Sequence, residues 1–80
     1  MNIVITNHGS NRLKERLNLR PGERFQYLAD LFKKGIDVIE RKNSLVYYYI
    51  MYNKRKHIFC ENKNGKNCIM FLTVYWNRGL

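Results

Sequence analysis

The spacing of apolar positions changes period once along the chain, at Gly35. Before it the spacing is helical; after it apolar residues come in β-rich runs. Ile3-Val4-Ile5-Thr6 is short and β-branched, a strand or an extended lead-in. Thr6 or Asn7 then offers a side-chain oxygen to cap a helix running to about Leu19, with Leu13 and Leu17 as its apolar stripe. Pro21 suits the first turn of a second helix, where its missing N–H costs nothing. Phe25, Leu28, Ala29 and Phe32 follow at i, i+3, i+4, i+7 and predict its buried face. Lys33 and Lys34 favour its last turn, and Gly35 is placed to stop it in a left-handed conformation.

Downstream, Ile36 to Arg41 reads as a short strand and Leu45 to Tyr52 as a longer one. Asn53-Lys54 starts a turn into a strand over Lys56 to Glu61. Asn64-Gly65 is a hairpin signal, because both positions of a two-residue turn need positive φ. Cys68 to Trp76 is the most hydrophobic strand and is expected inside the sheet. Strict alternation places Cys68, Met70, Leu72, Val74 and Trp76 toward the helices, and Ile69, Phe71, Thr73 and Tyr75 on the other face. The expected fold is a single α+β domain over residues 1–80: two N-terminal helices packed on a three- to four-stranded antiparallel sheet, its other face partly open.

Charge adds the first functional information. Lys and Arg number 15 against 6 Asp and Glu, a net charge of +9. Such a domain attracts polyanions, and neutralising phosphates releases counterions, so RNA or another nucleic acid is the expected partner. No apolar run is long enough for a membrane span, and no signal-like N-terminus precedes the domain, so a cytoplasmic location is expected. Cys60 and Cys68 are too few for a disulfide scaffold and lack the tight spacing of structural zinc ligands. They read as buried thiols in facing strands, and neither a metal nor a cofactor is expected.

His8, Arg12 and Arg16 recur every fourth residue and share one helical face. RNA cleavage without a metal needs a base for the ribose hydroxyl, an acid for the leaving oxygen and cations for the phosphorane. His performs either proton transfer near neutral pH, and Arg holds phosphate through its planar fork. Thr73 and Tyr75 are candidates to orient the phosphate. Read without a ligand, the trio is a solvated basic face beside a capping histidine. Tyr47-Tyr48-Tyr49 and Tyr52 offer either stacking platforms for bases or ordinary sheet packing. Arg20, the basic turn Lys54-Arg55-Lys56, and Lys63 with Lys66 are candidate phosphate contacts. His57 reads as a strand histidine.

The stretch from Ile5 to Leu17, with Thr6-x-His8 followed by Arg12 and Arg16, resembles the opening of a widespread group of small phage and bacterial proteins of unknown function. The closing strand Leu72-Thr73-Val74-Tyr75-Trp76 is similar to theirs. That group resembles in architecture the RelE, barnase and colicin-type ribonuclease fold. The resemblance implies a toxin-like ribonuclease domain with His8, Arg12, Arg16, Thr73 and Tyr75 as catalytic candidates. Gly9 departs from the group's usual Ala, and no acidic residue is expected on the motif face, since Glu15 lies elsewhere by spacing. Three readings are thus expected: a small basic RNA-directed protein acting as a metal-independent endoribonuclease, a non-catalytic phage-type inhibitor, or simple DNA or RNA binding with an affinity that falls steeply with salt. The inhibitor would bind a host nucleic-acid-processing or defence protein through that protein's acidic or nucleic-acid-binding surface. An open sheet edge is compatible with a monomer or a dimer.

Overall fold

The computed structural model describes residues 2–61 and 68–76. Its elements run in the order β1 (Asn2–Ile5), α1 (Asn7–Leu17), a 3₁₀ turn (Pro21–Glu23), α2 (Arg24–Lys34), β2 (Val38–Lys42), β3 (Leu45–Tyr52), β4 (Arg55–Glu61) and β5 (Cys68–Trp76). The α+β character, the two helices and the C-terminal meander match the expectation. Among the described residues the sheet has five strands, in the order β1-β5-β4-β3-β2, and is mixed, because β1 pairs parallel to β5. The lead-in is therefore a true edge strand. A parallel partner needs no hairpin turn, so the sequence carries no local signal for it. Among the described residues, no helix is long and apolar enough to cross a membrane.

Thr6 fixes the junction between β1 and α1. Its backbone N–H (3.3 Å) and its hydroxyl (3.0 Å) both donate to the Phe71 carbonyl of β5. The same hydroxyl oxygen accepts from the Gly9 N–H at 2.9 Å, which makes Thr6 the N-cap. This ties the start of α1 directly to β5. Gly9 is buried there, and a Cβ at its position would lie 2.7 Å from the Phe71 carbonyl oxygen and 2.8 Å from its ring. The absence of a side chain thus sets how closely α1 approaches the sheet. Helix α1 ends before the expected Leu19, because Asn18 turns left-handed (φ 54°) while its N–H donates to the Lys14 carbonyl. Gly35 ends α2 at φ 121°, ψ 155°: a positive-φ stop, but an extended one rather than αL.

Both helices cover one sheet face. Leu13, Leu28 and Leu31 pack there on Ile50, Phe59, Ile69, Phe71 and Val74. Phe59 links the layers by edge-on ring contacts to Phe32 (4.6 Å) and Phe71 (5.2 Å). Full burial of each such side chain stabilises the fold by about 1.5–3 kcal/mol. Two expectations need correction. Phe25 is 58% exposed, because the buried stripe of α2 centres between Leu28 and Leu31 and leaves Phe25 on its flank. The second correction concerns β5. Ile58 pairs with Thr73 but Phe59 pairs with Phe71, so Leu72 is an extra residue in a β-bulge. The alternation flips at that point. Ile69 and Phe71 face the helices rather than away from them, Val74 does so as expected, and Met70 does not.

Candidate functional site

The bulge governs what stands at the far end of β5. Beyond it, Val74 pairs with buried His57, so Trp76 and its partner Arg55 continue on the helix side. Arg16, in the last turn of α1, reaches this end of the sheet, and its guanidinium donates to the Val74 carbonyl at 2.6 Å. The C-terminal end of a helix is a favourable place for that cation. Arg55 lies with its guanidinium 5.1 Å from the centre of the Trp76 ring, a cation–π contact, and donates to the Asn53 carbonyl at 3.3 Å. Arg16, Arg55, Tyr75 and Trp76 together line a cleft of about 380 Å³. Two guanidiniums and two aromatic residues therefore converge on one concavity, and none of the described residues lining it is a carboxylate.

The other candidate residues lie elsewhere. His8 is exposed in the first turn of α1, eight residues before Arg16 and so about 12 Å away along the helix axis. Arg12 lies between them, but its guanidinium is paired with Glu15 at 2.7 Å. The expectation that Glu15 points away from the basic face is thus wrong: an i, i+3 spacing is within reach of an Arg–Glu pair. Thr73 pairs with Ile58 on the sheet face away from the helices. Arg20 precedes the 3₁₀ turn, where its backbone N–H donates to Glu23 (2.9 Å) and its side chain is exposed. Lys54 is exposed in the β3–β4 turn at φ 60°. Lys56 lies over the Tyr49 ring at 4.4 Å. Lys63 and Lys66 fall outside the described residues, as does the turn expected at Asn64-Gly65.

His57 is a core group. Its Nδ1 lies 3.1 Å from the Ile50 carbonyl, which only accepts, so Nδ1 carries the proton. Nε2 is then the acceptor, and the Tyr27 hydroxyl donates to it at 2.7 Å. Burial holds the His57 pKa below its ordinary 6.5, and burial likewise pushes Tyr27 up to about 12. With both ring nitrogens engaged, this imidazole fastens α2 to the sheet. Cys60 is buried and Cys68 half-buried, on the adjacent strands β4 and β5. Among the described residues, no three His, Cys, Asp or Glu side chains are grouped to hold a metal.

Sequence reasoning named Arg16, Arg55 and Tyr75 separately and omitted Trp76. Their convergence depends on the pairing of β4 with β5 and on the bulge within it. Comparison with protein-family models, curated proteins and solved structures returned no match.

Proposed function

We propose that the protein binds single-stranded RNA, with Arg16 and Arg55 holding a phosphate and Trp76 and Tyr75 offering surfaces for a base. The observation that carries this reading is the cleft that joins two guanidiniums to two aromatic side chains. The Val74 carbonyl orients the Arg16 fork, so little further ordering is needed when an anion arrives. The Trp76 ring is half exposed, and aromatic stacking suits every base. The chain's net charge of +9 supplies long-range attraction to the phosphate backbone.

Binding is favoured over cleavage by the placement of the proton-transfer groups. His8 stands two helical turns from Arg16, and His57 is buried with both nitrogens in use. Trp76 is the sole tryptophan, so its fluorescence reports the cleft directly. Titration with an oligoribonucleotide in EDTA is expected to quench it, leave the RNA intact and weaken steeply with salt. Arg55→Gln is expected to reduce the slope of log K against log salt by about 0.7, the effect of one lost phosphate contact on a single strand. Wild-type protein that binds no RNA at low salt would overturn the reading. Cleavage lost in His8→Ala would replace it with the ribonuclease expectation.

A further inference from the structure

We propose that the sheet face opposite the helices extends the RNA site, receiving a second base on Tyr49 and its phosphate on Lys56. This rests on the RNA reading of the cleft. Tyr75 connects the two regions: it lines the cleft, and on β5 it pairs with Lys56 of β4, on the face away from the helices. The Lys56 ammonium lies 5.9 Å from the Tyr75 ring centre and 4.4 Å from that of Tyr49 on β3. Ring, cation and ring thus cross three neighbouring strands, a span of about 10 Å.

The charges give this row a direction. The Tyr49 hydroxyl donates to Glu40 at 2.9 Å, which anchors the outer end of the ring and repels phosphate there. Phosphate is therefore steered to the Lys56 side. Among the described residues the ammonium rests on ring faces rather than in an ion pair, and its flexible stem allows it to exchange a ring for a phosphate while a base takes its place over Tyr49. Both helices pack on the opposite face, so β3, β4 and β5 present this row at the surface. A polyanion complements a chain of net charge +9, whereas a second copy would set Lys56 against another equally basic surface.

The test uses the full chain and oligouridylates of increasing length, with Trp76 fluorescence reporting the cleft. Wild-type affinity is expected to rise as the oligonucleotide grows past the cleft. Tyr49→Ala is expected to bind the shortest oligonucleotide as wild type does and to lose at least about fivefold on the longer ones. Lys56→Gln, which leaves Tyr49 in place, is expected to lower the salt slope by about 0.7 for the longer ones alone. Equal affinities of wild type and both variants at every length would overturn the extension and leave the cleft reading standing. No binding by wild type at any length would overturn both. A sedimenting dimer that Tyr49→Ala dissociates would assign this face to a second copy and overturn the extension.

Discussion

Replacing Gly9 by Ala puts two effects in opposition. Ala is the better helix former by about 1 kcal/mol, so an open helix surface would gain stability. Here the new methyl would lie 2.7 Å from the Phe71 carbonyl oxygen, 2.8 Å from the Phe71 ring and 3.1 Å from the Thr6 hydroxyl oxygen. The first contact is with backbone inside the sheet, which yields only if β5 or α1 shifts. Overpacking of this kind costs about 1–3 kcal/mol. A shift of α1 also stretches the two bonds from Thr6 to Phe71 and the cap to Gly9, and losing a cap costs about 1 kcal/mol. Against the propensity gain, the net is a loss of about 2 kcal/mol. For a domain of this size that is a fall in Tm of roughly 8–16 °C. Thermal and urea unfolding followed by far-UV circular dichroism measure it. A Gly9→Ala protein as stable as wild type, or more so, would refute the close approach of α1 to β5.

Tyr27→Phe removes the donor to buried His57 Nε2 and is expected to destabilise the fold by about 1–3 kcal/mol, seen as a lower urea midpoint. The same histidine sets a pH dependence. Unfolded His57 takes up a proton as pH falls through about 6.5, while the folded form resists to lower pH. Its contribution is therefore full above about pH 6.5 and is lost below it; a urea midpoint unchanged between pH 7.5 and 5.5 would contradict this. Tyr27 works in the opposite sense: its raised pKa leaves its contribution intact below pH 10, to be lost as pH rises toward about 12. Lys54 occupies a left-handed turn position (φ 60°), so Lys54→Gly should relieve about 1 kcal/mol of backbone strain and raise Tm by about 4–8 °C.

Much of the fold can be read from local chemistry. Thr6 as a cap, Pro21 in a first turn, Gly35 as a stop and the limits of β3 and β5 all follow from neighbouring residues. What escapes is non-local. The pairing of β1 beside β5 leaves no mark in a four-residue strand, and Leu72 is as good a strand residue in a bulge as in a regular ladder. That one extra residue redirects Ile69 and Phe71 relative to Val74 and Trp76. Any site built from side chains at both ends of β5 is therefore hidden from alternation rules. The Arg12–Glu15 pair is a different kind of miss. Its i, i+3 spacing is legible, but the pair bridges the face of His8, Arg12 and Arg16 and the neighbouring one, which a face-by-face reading of the helix separates.

The bonds between Thr6 and Phe71 also bear on how the protein comes into being. They join positions 65 residues apart. Closing a flexible loop of that length costs on the order of 4 kcal/mol in chain entropy. During synthesis β1 leaves the ribosome before the other described strands of this sheet, and the strand it pairs with leaves after them. Until β5 emerges, the cap of α1 lacks its anchor and β1 is an unpaired apolar segment. Sheet closure and the anchoring of α1 are thus one late event, and β1 must wait unpaired for the whole of the sheet's synthesis.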